Sequence, residues 1–420
     1  MRMVELWNCR SRFIERTACW GSIRSTKRRR IKAEDRHSGE RIGERQTLEA
    51  YSARAMDAPF IKGLRIRSRQ TDPRPLVVFL TYTGIGDLVM ALPLLSALRD
   101  QFRVLPVISP SHTNLARLLY QDGVLENYVL VEEGLRLRRN PLGHVMVCLA
   151  ISRLRPDVVV IYGKVILAYA ARFGLLRSRR VLFCHRRGLG PRPSRRIEVL
   201  PPTGNQTRDY LQFAERLGVS VASTGVRITD RLRDQLEQGA RPLIDWPAYA
   251  VVAPWTSNPR REVPLRFFRD CIDVIVREGR LPVVVTGLPK HRSKASSLLR
   301  GVSELWARDL VGATSLEQML GCLAGARFVL ANDGGTLHLA RLVGTRAVVA
   351  FGPTAPEQRL LDPPQEVTPL RLGLSCSPCH DTSHRYQCPG AYLQCLRGLE
   401  AAETRSELLA ACQAPTCRAS

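Results

Sequence analysis

From Leu76 onward the chain alternates two hydrophobic patterns. Short, nearly solid apolar runs give way to longer stretches with an apolar residue every three or four positions. Leu76–Tyr82 is such a run and predicts a parallel strand buried on both faces. Leu88, Leu92, Leu95 and Leu98 then repeat at helical spacing, predicting a helix over Leu88–Arg99. Strand patterns recur at Val104–Ser109, Tyr128–Val131, Val158–Tyr162 and Val181–Cys184, with helical patterns between several of them, such as His144–Leu154 and Arg208–Leu217. The turn-rich stretch 238–247 resets the rhythm and reads as a linker. A second series follows, with strands predicted at Tyr249–Pro254, Leu281–Thr286, Arg327–Ala331 and Ala347–Phe351, and helices at Leu265–Glu278, Ser315–Ala324 and Thr336–Val343. This alternation predicts two doubly wound α/β halves, 75–238 and 248–400, followed by a tail at 401–420. Ligands of open α/β sheets bind at the carboxyl ends of the strands, so two facing halves would leave a cleft between those ends.

Charge changes the picture. The 420 residues carry a net charge of +25, and most of the cations are Arg. Such a field suits phosphorylated or otherwise anionic partners, although an Arg-heavy genome accounts for it equally well. Residues 1–60 are charged and aperiodic and are expected to be disordered; Met56, just ahead of the first predicted strand, is an alternative start. The "KRRR" in this extension is short and has no interleaved aromatics, so no nucleic-acid partner is expected. The longest greasy stretch, Pro75–Leu98, is interrupted by Gly84, Gly86 and Asp87 and reads as two elements joined by a turn rather than a membrane span. With no apolar segment following the basic N-terminus, a cytoplasmic protein is expected. Its twelve cysteines are then thiols or metal ligands.

Three stretches carry candidate chemistry. In "FVLANDGGTLHLARLVGTRAVVAFGPTAPEQ" (328–358) a strand ends at Asn332-Asp333, two glycines follow, and a helix opens with Thr336 and His338 near its start. Strand, glycine turn and helix N-terminus is a phosphate-cradling arrangement, because the first helical N–H groups have no internal partner. Gly334 and Gly335 permit close backbone approach and tolerate positive φ. The alternative is that Asp333 only caps the helix and His338 is a surface residue. In "TYTGIGDLVMALPLLSALRD" (81–100), Asp87 is a lone acid among apolar residues, either a simple helix cap or the one charge an active site needs. Finally, Cys376, Cys379, Cys388 and Cys395, with His380 and His384 among them, have the spacing of a structural zinc site; packed free thiols are the alternative.

Taken together, "GIGDLVMALPLLSALR" and "NDGGTLHLARLVGTRAVVAFGPTAPEQ" resemble glycosyltransferase family 9, the ADP-heptose:lipopolysaccharide heptosyltransferases, over about 76–396. The resemblance implies the GT-B architecture, two Rossmann-like domains facing across a cleft, with acceptor held by the N-terminal half and donor by the C-terminal half. It implies inverting transfer of a heptose or related sugar from a nucleoside diphosphate, with ADP-heptose first in line, to a lipopolysaccharide-type or other cell-envelope glycan. It also implies that no cofactor is required for catalysis. It assigns Asp87 as general base, in a loop kept thin by Gly84 and Gly86. It sets Asp333, Gly334, Gly335, Thr336 and His338 on the donor diphosphate and sugar. A lipid-linked acceptor would bring the enzyme to the inner face of the cytoplasmic membrane, where the basic runs at 134–140 and from His185 would meet anions. The match departs from the family in two places. Where members show Lys-Arg-Trp-Pro, this chain has "RREVP", so Arg261 would replace the lysine, with Ser257 a further phosphate contact. "GLPKHRSK" (287–294) lacks the expected nucleoside-binding glutamate, which keeps open a different nucleotide-sugar donor or a non-catalytic binding role.

Overall fold

The computed structural model describes residues 61–66, 72–80, 84–131, 141–360, 366–379, 388 and 393–415. The expectations for 1–60, for the basic run at 134–140 and for His380 and His384 lie outside them.

Two sheets organise the chain. In the first, strands β1 (Ile61–Ile66), β2 (Leu76–Leu80), β3 (Arg103–Ile108), β4 (Asn127–Val131), β5 (Val158–Tyr162), β6 (Arg180–Cys184) and β7 (Ile197–Leu200) lie in the order β1-β4-β3-β2-β5-β6-β7. β1 pairs antiparallel with β4 at one edge, and the remaining pairs are parallel. In the second, β8 (Ala250–Ala253), β9 (Val283–Gly287), β10 (Ala307–Val311), β11 (Phe328–Asn332), β12 (Ala347–Ala350) and β13 (Val367–Leu370) run parallel in the order β10-β9-β8-β11-β12-β13. The fold class expected from the alternating pattern, α/β with two doubly wound sheets, is the one observed. Each sheet reverses direction of winding at its centre, between β2 and β5 and between β8 and β11. These are the switch points where an open sheet offers a crevice at its carboxyl edge.

The central strands are solidly apolar because helices cover both faces. Val77, Val78, Phe79 and Leu80 are completely buried, as are Val283, Val284 and Val285. The helices of the first half are α1 (Ile85–Leu98), α2 (Thr113–Gln121), α3 (Pro141–Arg153), α4 (Val165–Arg172) and α5 (Gln206–Arg216). In the second half the series continues with α6 (Asp230–Ala240), α7 (Leu265–Asp273), α8 (Arg292–Leu298), α9 (Leu316–Ala324), α10 (Gly335–Leu342), α11 (Gln394–Arg397) and α12 (Arg405–Gln413). The predicted helix over Leu265–Glu278 is broken: α7 ends at Asp273 and a π turn carries Val274–Glu278. Helix α6 runs into the stretch read as a linker, ending at Ala240, and it packs on α9, where a methyl on Gly321 would sit 2.0 Å from the Leu236 carbonyl oxygen. The segment read as a C-terminal tail folds as α12, with Leu408, Ala411 and Cys412 in the second core.

Candidate functional site

The carboxyl edge of the first sheet delivers Asp87 on the first turn of α1, right after β2. Gly84 is the N-cap, and its N–H donates to Asp87 Oδ2 at 2.8 Å. Asp87 is thus one turn inside the helix, and one carboxylate oxygen closes the N-terminus while the other is engaged elsewhere. That other oxygen, Oδ1, accepts from Gln206 Nε2 at 2.5 Å.

Gln206 opens α5 and is 3% exposed. Its amide orientation is determined by its neighbours. Oε1 accepts from Arg186 and, at 3.1 Å, from Arg359 Nη1, while Nε2 also meets the Tyr210 hydroxyl at 3.1 Å. Two guanidiniums on one side and a carboxylate on the other leave a single favourable flip. Asn205 Nδ2 donates to the carbonyls of Glu357 and Leu360, both at 2.7 Å, and Thr207 Oγ1 to that of Arg359 at 2.8 Å. The start of α5 therefore stitches the loop after β12 to the acid after β2.

The second sheet contributes Asp333 at the end of β11, 1% exposed. Its Oδ2 accepts from Thr354 Oγ1 at 2.7 Å and from Arg261 Nη1 at 3.1 Å. Burial raises the carboxyl pKa, but the Arg261 and Arg359 charges and the Thr354 hydrogen bond outweigh it, and the group is held below the ordinary carboxylate value. Asp333 does not cap α10: the N-cap is Gly334, with no side-chain cap bond. His338 is not on the surface either, being 3% exposed. Burial and the nearby Arg341 charge lower its pKa to about 4, against the pull of Asp333 and Asp87. The imidazole is neutral at neutral pH.

The glycines act through space rather than through dihedral freedom. Gly334 has φ −167° and Gly84 φ −90°, values open to any residue, so the tolerance of Gly334 for positive φ is not used. What matters is approach. A methyl on Gly86 would lie 2.6 Å from His338 Cδ2, and one on Gly335 would lie 2.6 Å from Ile85 Cγ2. The N-termini of α1 and α10 are in contact, each glycine leaving room for a side chain of the opposite helix.

Most of the expected residues converge. Asp87, Gly84, Gly86, Asp333, Gly334, Gly335, His338 and Arg261 fall within one contiguous region, and Thr336 lies half-buried on the first turn of α10. Ser257 does not join by any hydrogen bond among the described residues; it is solvent-exposed in the turn after β8. The cysteines are close enough for their charges to be felt: burial raises the Cys395 thiol to about 11, with Cys379, Cys388 and Cys376 adding to it. Cys379 N–H donates to the Pro353 carbonyl at 2.9 Å, which ties this segment to the loop carrying Thr354. Among the described residues, however, no group of three or more His, Cys, Asp or Glu side chains is arranged to hold a metal.

Pattern reading missed Gln206, Arg359 and Thr354 and gave Arg186 only as part of the basic run from His185. Thr354 carried a signal, standing in the Gly-Pro-Thr turn after a strand. The acid missing from 287–294 has a neighbour in space: Glu262 Oε1 accepts from Thr256 N–H at 3.0 Å, beside Trp255, whose ring stacks on His291 at 4.7 Å.

Seven buried side-chain polar atoms among the described residues have no hydrogen-bond partner. Five of them, Trp255 Nε1, Arg261 Nε, Thr286 Oγ1, Asp333 Oδ1 and His338 Nδ1, lie at or just beyond the carboxyl ends of β8, β9 and β11. Native interiors leave few such atoms, and a cluster of them at a switch point makes this region the candidate for a polar ligand site.

The neutral state of His338 has a measurable consequence. The unfolded chain takes up this proton near pH 6.5, the folded one only near pH 4. The contribution is therefore fully present above pH 6.5 and is lost as pH falls toward 4. Its slope approaches about 1.4 kcal/mol per pH unit between the two values. We expect Tm of the His338→Gln variant to decline less than wild type over that window. Parallel curves would mean that His338 titrates alike in both states.

Residues 207–389 match the family model for glycosyltransferase family 9 (heptosyltransferase). Lipopolysaccharide heptosyltransferase 2 of Salmonella typhimurium is 26% identical over 103 residues, which is 24% of this chain and 29% of that protein. The matched stretch therefore spans under a third of that curated relative. In three dimensions the chain resembles ADP-heptose lipopolysaccharide heptosyltransferase II of Escherichia coli, with TM-score 0.58 and 16% identity over 80% of this chain and 98% of that one. It also resembles E. coli heptosyltransferase WaaC, solved with ADP, with TM-score 0.54 and 19% identity over 80% and 99%.

Proposed function

We propose that this is a glycosyltransferase family 9 (heptosyltransferase-like) protein and that it transfers a heptose or related sugar from a nucleoside diphosphate to a cell-envelope glycan, with inversion. ADP-heptose is the donor we favour, and a lipopolysaccharide-type glycolipid the acceptor.

One observation carries the reading: a cluster of unpartnered polar atoms and arginines after β8, β9 and β11 faces, through touching helix N-termini, a single carboxylate after β2. A diphosphate is the ligand that such a cluster suits. The N-terminal N–H groups of α10 and the positive end of its dipole favour negative charge. Arg261, anchored through Nη1 by buried Asp333, supplies a fixed cation. Neutral His338 is a hydrogen-bond donor without adding charge of its own.

Asp87 then serves as base. The acceptor hydroxyl attacks the anomeric carbon on the face away from the diphosphate, and the carbon–oxygen bond to phosphate breaks. The hydroxyl proton passes to the Asp87 carboxylate and the nucleoside diphosphate leaves with the bonding pair. One carboxylate suffices because inversion takes one displacement. No metal enters this scheme, and the cysteine cluster, whether it binds zinc or packs as thiols, lies behind the loop that carries Thr354.

A second reading keeps the chemistry and changes the nucleotide, and the acid-free stretch 287–294 favours it. A thermal-shift titration against ADP, UDP, GDP and ADP-heptose separates the two. A ligand at a hundred times its dissociation constant stabilises by about 2.7 kcal/mol, worth several degrees. A selective shift with ADP and ADP-heptose supports the first reading, and one with UDP or GDP alone supports the second. No shift with any nucleotide would remove the donor site as described.

A further inference from the structure

We infer that helix α4 and the loop after β6 form a docking surface for an anionic lipid bilayer. Among the described residues eight large hydrophobic side chains are exposed, and six of them, Leu149, Ile166, Tyr169, Phe173, Leu175 and Leu189, come from one stretch of the first half. They share one surface. Ile166, Tyr169 and Phe173 recur at helical spacing on the outer side of α4 and just past it, and the Tyr169 and Phe173 rings stack at 6.4 Å. Tyr169 OH donates to the Gly190 carbonyl at 3.3 Å, which brings Leu189 alongside. Ser152 Oγ accepts from Arg177 N–H at 2.8 Å, which joins the end of α3. Phe173 is 76% exposed, a large apolar ring offered to solvent.

The charge around this surface identifies its partner. Residues 141–200 contain twelve Arg and Lys against two acids, Asp157 and Glu198. Both acids are taken, Asp157 by Arg179 at 3.3 Å and Glu198 by Arg180 at 2.7 Å and by Arg216. Exposed Arg172, Arg177, Arg192 and Arg195 pair with no carboxylate among the described residues. Aromatic and aliphatic side chains ringed by arginines suit the headgroup boundary of an anionic leaflet, the rings entering the interface and the cations meeting phosphates. A protein partner would need a matching acidic rim around an apolar centre; a bilayer supplies both over any area.

The surface is also in the right place. The loop after β6 starts at His185-Arg186, where Arg186 holds Gln206 beside Asp87, and continues outward to Leu189, Arg192 and Arg195. A lipid-linked acceptor met at this surface lies one loop away from the base. That last link rests on the transfer reading; bilayer binding does not.

The test is co-sedimentation of the full chain with vesicles of phosphatidylcholine alone or mixed with phosphatidylglycerol, without donor or acceptor. Binding is expected only to the anionic vesicles and should weaken with salt. Phe173→Ser/Leu189→Ser and Arg192→Glu/Arg195→Glu should each lower the affinity about tenfold or more. Leu305→Ser, a change at a 78% exposed leucine of the other half, should leave it unaltered. Nucleotide-induced thermal shifts of all variants should match wild type, so failure of the donor site and failure of the surface are told apart. No binding to anionic vesicles, or full binding by both double variants, overturns the proposal. So does a dimer in light scattering that the Phe173→Ser/Leu189→Ser variant dissociates while vesicle binding is unchanged, since the face would then belong to a second copy.

Discussion

Sugar transfer by the Asp87→Asn variant falls by about 10²- to 10⁴-fold, the usual contribution of a positioned base, while its thermal shift with the donor nucleotide stays near that of wild type. The substitution is close to isosteric. The contacts to Gly84 N–H and to Gln206 Nε2 cannot both be kept, because an amide has only one acceptor oxygen. Loss of one such contact costs about 1 kcal/mol, too little to unfold a chain with such extensive apolar cores. A rate loss with donor binding intact is the signature of a base. Transfer at the wild-type rate would remove Asp87 from the chemistry. Loss of donor binding together with rate would make it a structural member of the contact between α1 and α10.

The second large effect is expected at Asp333→Ala. Asp333 is buried between Arg261 and Thr354, with the Arg359 charge nearby. Removing it leaves Arg261, itself only 19% exposed, with an uncompensated charge. Breaking a buried pair from one side costs about 3–5 kcal/mol. At about 2–4 °C per kcal/mol for domains of this size, Tm should fall by roughly 6–20 °C. The donor-induced shift should vanish as well, because Arg261 loses its anchor. Thr354→Val removes one hydrogen bond and should cost only about 1–3 kcal/mol, with the donor shift retained. Equal effects at Asp333 and Thr354 would mean that the charge of Asp333 is not what holds the site.

Gln206 shows where pattern reading stops. Nothing in "PTGNQTRDY" separates it from any other amide at a helix start. Its importance arises because α5 enters between the acid after β2 and the loop after β12, and Gln206 is the residue whose two ends match a carboxylate and two guanidiniums. Arg359 is similar: an arginine in a charge-rich chain carries no signal until burial makes its partners count. His338, by contrast, stood out in sequence but was open to a surface reading. Only packing against Gly86 shows why it is buried and neutral.

The local pattern of apolar positions determined the strands of both sheets that lie at their centres, most helices, the α/β class, and the two motifs that hold Asp87 and Asp333. These follow from short-range rules, namely period, turn residues and the need of a doubly covered strand to be apolar throughout. Tertiary structure alone decided which edge strands complete the sheets, that 405–413 packs as a helix rather than trailing as a tail, and that Ser257 stays in solvent. It also decided which side chains the glycines make room for, His338 at Gly86 and Ile85 at Gly335, and that Gln206, Arg186 and Arg359 join the acid of one half to the loop of the other. Those outcomes depend on which atoms meet after residues more than a hundred positions apart are brought together, and on burial that turns an ordinary charge into one that must be paired.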